Sequence, residues 1–470
     1  MQKSVVGTLS ALALLGAGAA QAAIDPIQAA FVVLGDGGRA QARVVTSELV
    51  CPSIEVDGEA RSMAVRATPG VEPQRPTRSK LEESKPSAFP VLVCEASLPQ
   101  GAHSASVGGR RLPLPVAEPK RIVVIGDTGC RIKTADNAFQ ACNDPGEYPF
   151  AKVAASAAAW KPDLVVHVGD YLYRENPCPA GDIGCSGSPW GYGWDSWKAD
   201  FFAPGGALLA AAPWAAARGN HESCNRAGQG WWRILDPRPL VPGRDCNDAA
   251  NDKIGDYTDP YAVPLGGGAQ LIILDSSNAP GAAIPPEDYA AARFRDMYAK
   301  LDGLSRMASY SIMVDHHPVL AFAAHIDKQT GKPRLDPGNG GLQSVFVGET
   351  PWMFPANVKM LLSGHVHVWE QLSFSSPHPT QFVAGFSGTQ EDIVPLPKTL
   401  PSDAYVAPGA SVEHFSSWVD GFGFMTMART GPESWDIEVH DINGKVLNHC
   451  TATGRQSVCD KPQIEAPKRP

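Results

Sequence analysis

Five times along this chain a short, apolar, β-branched run stops abruptly at a cluster of glycine and potential metal-binding residues. Arg121 to Ile125 runs into Gly126-Asp127-Thr128-Gly129, and Leu164 to Val168 into Gly169-Asp170-Tyr171-Leu172-Tyr173. The run Trp214 to Ala217 leads to Gly219-Asn220-His221-Glu222, and Tyr310 to Val314 to Asp315-His316-His317-Pro318. Val358 to Leu362 leads to Gly364-His365-Val366-His367. Such runs read as strands buried in a sheet. Leu271 to Leu274 is a further one, and helical patterns lie between them: an alanine-dominated stretch from Tyr148 to Trp160, and an amphipathic one within Pro285 to Met307, expected to open at Pro286. Strand–helix alternation predicts an α/β architecture, in which ligands gather at strand C-termini. All five polar blocks sit at such ends.

Each block taken singly has a bland reading. Asp127 beside glycine can cap a turn. A second strand-end carboxylate, Asp170, can lie beside the first, and paired carboxylates repel unless a cation or shared proton relieves them. Tyr173 can turn back toward the same point or simply pack. Asn220 offers a neutral oxygen, and His221 a nitrogen or a proton donor. His316 and His317 adjoin before a proline, with His325 beyond; a lone histidine is more often a core residue than a ligand. In Gly364-His365-Val366-His367, alternate residues of an extended chain share a side, so His365 and His367 face one site while Val366 packs away. Jointly the blocks supply carboxylates, an amide oxygen, a phenol and imidazoles, a set that suits iron, manganese or zinc.

In this order the motifs resemble those of the calcineurin-like metallophosphoesterases, over about residues 121 to 370, and among them most the purple acid phosphatases. The wider family opens with Asp-x-His; here Gly129 stands in place of that histidine. The purple acid phosphatases make the same replacement and recover a ligand from the tyrosine of Gly-Asp-x-x-Tyr, which Tyr173 matches. The resemblance implies a four-layer α/β/β/α metallophosphoesterase sandwich. It implies that Asp127, Tyr173 and His367 bind one metal, that Asn220, His316 and His365 bind the other, and that Asp170 bridges both. Two metal ions are then the cofactors: Fe(III) at the tyrosine-ligated site and Fe(II), Zn or Mn at the second. His221 matches a substrate-facing histidine, and His325 falls more loosely where small acid phosphatases place another. The implied reaction is hydrolysis of small phosphate monoesters by direct attack of a metal-bound hydroxide, without a phosphoenzyme. A non-catalytic metal- or phosphate-binding protein on the same scaffold, or a phosphodiesterase or nucleotidase, is the alternative.

Elsewhere the bland readings are retained. His317 is expected beside the ligands and His167 packed in its strand; Asp275 belongs to no matched block, and Gly35-Asp36-Gly37-Gly38 reads as a tight turn. From Ala23 to about residue 116, short runs broken by glycine and proline predict a small all-β domain, with Thr68 to Pro86 as a long exposed loop. Residues 117–460 form the expected catalytic domain and 461–470 a tail. A formal charge of -9 argues against a basic face for nucleic acid. Residues 1–22 have the tripartite pattern of a secretory signal peptide, and no later run is long and apolar enough to span a membrane. Ten cysteines, an even number, fit export to the periplasm or beyond. Their spacing suggests the pairs Cys51–Cys94, Cys130–Cys142, Cys178–Cys185, Cys224–Cys246 and Cys450–Cys459.

Overall fold

A computed structural model describes residues 25–77, 79–391 and 393–465, so the expected signal peptide lies outside the described residues. Two large sheets face each other. One runs in the order Gln456–Cys459, Val446–Thr453, Ser434–Asp441, Gly423–Gly431, Arg121–Ile125, Leu164–His167, Trp214–Ala216, Ile27–Leu34, Ala40–Thr46, Leu92–Ser97, Ala64–Ala67. The other runs Tyr261–Gly266, Ala269–Ile273, Tyr310–Val314, Val358–Ser363, Thr380–Ala384, Trp369–Phe374, Val412–Trp418. The strands that precede the five blocks pair in parallel within each sheet, with Ile125 opposite His167, His167 opposite Ala216 and Val314 opposite Leu362.

Side-chain alternation builds the layers. Ile122, Val124, Leu164 and Val166 point between the sheets, where they meet Leu271, Ile273, Ile312, Val314, Met360 and Leu362. Their strand neighbours Val123, Ile125 and Val165 point outward onto Phe150, Val153, Ala157 and Phe201. Ile272, Met313 and Leu361 point outward on the other side onto Phe294, Met297, Leu301 and Phe346. The result is helix, sheet, sheet, helix. Strands covered on both faces read as continuous apolar runs because neither face meets water.

The helix within Pro285 to Met307 spans Tyr289–Ser305 and opens later than expected. Asp288 is its N-cap, accepting from the Ala290 amide at 2.8 Å; a side-chain acceptor is worth more there than the ring of Pro286. The N-terminal β-rich region divides between sheets: Ser53–Val56, Glu59–Ser62, Ala105–Val107 and Arg110–Arg111 form a four-stranded sheet of their own, while other strands join the large sheet. Ile27–Leu34 pairs in parallel with Trp214–Ala216, so four N-terminal strands extend the large sheet across residue 116. Buried Arg43 and Arg66 reinforce the joint by donating to the carbonyls of Ile234 and Trp232, both at 2.6 Å. The segment Thr68 to Pro86 is also less exposed than expected, since Arg75 is buried and ion-paired to Asp252 at 2.5 Å.

All five suggested cysteine pairs are joined. No helix among the described residues is long and apolar enough to cross a membrane.

Candidate metal centre

The site forms where the C-terminal ends of the two sheets abut. Asp127, Asp170 and Asn220 leave the large sheet, and His316, His365 and His367 leave the other. Three of these turns hold a non-glycine residue in the left-handed region: Asp127 at φ 53°, Asp170 at φ 59° and His365 at φ 69°. Such conformations cost free energy and persist where the surroundings enforce them, commonly at functional sites. His365 and His367 therefore do not share a side through strand alternation, as expected; the chain is a tight turn, with the Val366 amide donating to the Gly364 carbonyl at 2.8 Å.

Tyr173 turns back onto the point where Asp127 and Asp170 meet. Its hydroxyl lies 2.8 Å from Asp127 Oδ1, 2.8 Å from Asp170 Oδ2 and 2.9 Å from His367 Nε2. Asn220 gathers a second group: its Oδ1 is 2.9 Å from His316 Nε2 and 2.9 Å from His365 Nδ1. Asp170 belongs to both, since its Oδ2 is also 3.2 Å from His316 Nε2. The structure thus brings together all seven side chains predicted as ligands.

Outer contacts fix the imidazoles. His316 Nδ1–H donates to the Val168 carbonyl at 2.9 Å, and His367 Nδ1–H to that of Gln390 at 3.0 Å, so each presents Nε2 inward. Asp200, fully buried, accepts from the Tyr173 amide at 2.8 Å and from Cys130 at 3.0 Å. That packing explains the missing histidine: a Cβ on Gly129 would lie 2.7 Å from the Tyr173 amide and 2.9 Å from Asp200 Oδ2. The segment carrying Tyr173 occupies the space a side chain at 129 would need. Gly219 is equally constrained, since a Cβ there would fall 2.0 Å from Asp170 Oδ1.

The electrostatics call for a cation. Burial and the neighbouring Asp127 and Asp170 carboxylates push the Tyr173 phenol well above its ordinary value. Burial alone would depress His316, yet Asp170 and Asp127 hold its pKa up at about 9. Burial would likewise raise Asp170, but His316, His221 and Arg226 hold it well below the carboxylate range. Without an ion, a proton on His316 is the positive charge these carboxylates find. Two buried carboxylates, a phenol, an amide oxygen and three imidazoles suit hard or borderline metal ions. Cys178 and Cys185 also lie near a carboxylate, Asp182, but their sulfurs are joined to each other.

Of the two predicted substrate-facing histidines, only His221 touches the cluster. Its Nε2 is 3.8 Å from Asp170 Oδ2, and its ring packs, tilted by 35°, against that of Tyr173 with centroids 3.7 Å apart. His325 lies on the hairpin Ala323–Ile326 with Pro333–Asp336, where its exposed ring contacts Asp336 at 2.5 Å. Among the described residues, no hydrogen bond or ring contact joins it to the seven. Its hairpin neighbours Ala323 and Ala324, together with His365 and His367, line a cleft of about 190 Å³. His317 packs at a tilt against His365, ring centroids 4.2 Å apart, and His167 stacks on Tyr171 at 3.8 Å. Asp275 accepts from Thr258, and Asp36 to Gly38 is a turn.

Three residues escaped the sequence reading. Glu222, within the third block, accepts from the amides of Asp170, Tyr171 and Gly219 and so locks two ligand loops together. Glu175 and Arg226 form a fully buried ion pair behind His221, and no local pattern marks them.

The sequence model of the family described as calcineurin-like phosphoesterase matches residues 120–369. The chain belongs to the calcineurin-like phosphoesterases. The match spans the strands that carry all seven cluster residues, and its members usually hydrolyse phosphoester bonds. A comparison with curated proteins finds no match to this phosphoesterase. Among solved structures it resembles the purple acid phosphatase PPD1 from yellow lupin (Lupinus luteus) seeds, at 16% identity and a TM-score of 0.50, over 93% of this chain and 74% of that one. PhoD is similar at 12% identity and a TM-score of 0.49, over 94% and 92% of the two chains. A dimetal phosphatase from Danio rerio is similar at 11% identity and a TM-score of 0.40, over 72% and 100%. The lupin likeness shows a shared fold.

Proposed function

We propose that this phosphoesterase is exported and hydrolyses phosphate monoesters at a dinuclear metal centre. The observation that carries the reading is the pair of ligand groups sharing Asp170, one around the Tyr173 hydroxyl and one around Asn220 Oδ1. Asp127, Tyr173 and His367 would hold one ion, Asn220, His316 and His365 the other, with Asp170 common to both. The phenol suits Fe(III) at the first position, and the neutral amide and imidazoles suit Fe(II), Zn or Mn at the second. Ions held there would supply charge neutralisation, polarisation of phosphoryl oxygens and acidification of a water.

The chain's own residues do the rest. Val168, Gln390 and Asp200 keep the imidazoles and Tyr173 facing inward, so the ligands are set before substrate arrives. His221 stands at the wall beside Asp170, its Nδ1–H spent on the Leu172 carbonyl at 2.9 Å. Its Nε2 accepts from Arg226 Nη2 and lies 3.8 Å from Asp170 Oδ2, so the ring borders the place that an ester held at the cluster would occupy. His325 would act from the overhanging hairpin. Five disulfides support a periplasmic or secreted location.

The test is hydrolysis of aryl phosphate monoesters, with bis-aryl diesters alongside, after iron and zinc are restored to purified protein. Release of aryl alcohol from the monoester with two ions per chain is the expected result. Uptake of two ions with no hydrolysis of either ester leaves a metal-binding protein on the same scaffold.

A further inference from the structure

Behind His221 lies a charged group that the reading above leaves unused. Arg226 is fully buried, and so is its partner Glu175. The pair is forked: Arg226 Nε donates to Glu175 Oε2 at 3.1 Å, and Nη2 donates to Oε1. Tyr192 completes the carboxylate, donating to Oε2 at 2.8 Å. Burying such a pair costs desolvation that apolar side chains of equal volume would avoid, so its presence calls for a reason beyond stability.

Two further contacts indicate the reason. Arg226 Nη2 also donates to His221 Nε2 at 2.5 Å, and that nitrogen is 3.8 Å from the Asp170 oxygen shared by both ligand groups. The guanidinium is therefore separated from the metal-bridging position by a single ring atom. Its remaining nitrogen, Nη1, is buried and has no hydrogen-bond partner. A buried guanidinium N–H pair without an acceptor forfeits the strongest interactions available to it, and phosphoryl oxygens are the acceptors that the proposed reaction would bring.

We infer that Arg226 is a further substrate-binding residue, which donates to a non-bridging oxygen of the substrate phosphate while Glu175 and Tyr192 hold its plane. This rests on the phosphoesterase reading and adds a specificity consequence. A planar, permanently charged donor beside the cluster favours the dianionic phosphate of a monoester over the monoanion of a diester. No proton changes hands at Arg226; it contributes charge and orientation only.

The experiment uses the full chain with both metals restored and inorganic phosphate as the probe, measured by calorimetry. Two variants are compared, Arg226→Lys and the paired Glu175→Gln with Arg226→Gln, which removes both charges and leaves no buried ion unpaired. The expected result is a wild-type metal content with phosphate Kd weakened about 10- to 100-fold in the paired variant and less in Arg226→Lys, and KM for a monoester rising in parallel. Unchanged phosphate Kd in a folded, metal-replete variant overturns the inference and leaves the function standing. If the paired variant does not fold, Arg226→Lys decides: a Kd equal to wild type overturns the assignment, since a point charge on a longer stem cannot reproduce the fork. A wild-type protein that holds two metals yet neither binds phosphate nor hydrolyses an ester overturns the function itself.

Discussion

Replacing Tyr173 with phenylalanine isolates one atom at the meeting point of the two ligand groups. In the metal-free protein that hydroxyl is the donor placed between two carboxylates that are 0% and 1% exposed, Asp127 and Asp170. Deleting it leaves at least one buried carboxylate oxygen short of a charge-assisted hydrogen bond, a cost of about 1.5–3 kcal/mol. In a chain of this length that corresponds to a fall in Tm of about 4 °C or less, because unfolding entropy grows with size. With metals bound the carboxylates are neutralised by ions, and the loss becomes that of one ligand. Calorimetry of chelator-stripped and reconstituted Tyr173→Phe, with metal analysis and a visible spectrum, measures both states. The expected outcome is a stripped protein less stable than stripped wild type, together with weaker retention of the ion at this position and loss of any iron-dependent colour. An iron-loaded variant with unaltered colour, or a stripped variant as stable as wild type, would refute the assignment of Tyr173.

Gly219→Ala places a Cβ 2.0 Å from Asp170 Oδ1, so the carboxylate must move; a displacement near 1 Å is expected to lower kcat about 100-fold and reduce bound metal, and full metal content with wild-type kcat would contradict the close approach. His221→Ala is expected to cost about 10²- to 10⁴-fold in kcat, whereas His325→Ala, whose ring is 47% exposed and paired with Asp336, should cost less than about 10-fold. Equal losses in the two would show that the hairpin closes over the ester. Glu370 is fully buried and, among the described residues, accepts from the Phe322 amide alone, and burial pushes its carboxyl well above the ordinary range. Because its folded pKa is raised, its contribution to stability is complete below the unfolded pKa of about 4.3 and is lost as pH rises through the folded value. Glu370→Gln should therefore melt near wild type at pH 4 and above it at pH 8, and a pH-independent difference would exclude titration of this group.

The strands were legible because they are covered on both faces. Arg121–Ile125 and Tyr310–Val314 have the bounds their apolar runs predict, since a strand between a second sheet and a helix layer is dominated by apolar residues. The cluster residues were legible for a related reason: each lies within six residues of the end of its strand, so a local motif places it at the sheet's end. Charged residues inside the protein were not. Arg75 sits in a segment rich in proline, lysine and glutamate that reads as exposed, and its burial is made tolerable by Asp252, 177 residues away, and by the Cys246 carbonyl. Arg226 and Glu175 are 51 residues apart, and neither lies on a periodic pattern.

The sequence by itself determined which side chains emerge at strand ends, and with them the donor chemistry of the centre. Gly129 and Tyr173 pointed to a tyrosine among those donors before any contact was known. Tertiary structure decided what stands around the donors. It set His221 against a buried guanidinium, placed His325 out on a hairpin and threaded the N-terminal strands into the large sheet. Strand ends follow from local patterns of apolar and polar residues. The environment of a buried charge depends on partners brought from distant parts of the chain, and no local pattern carries that information.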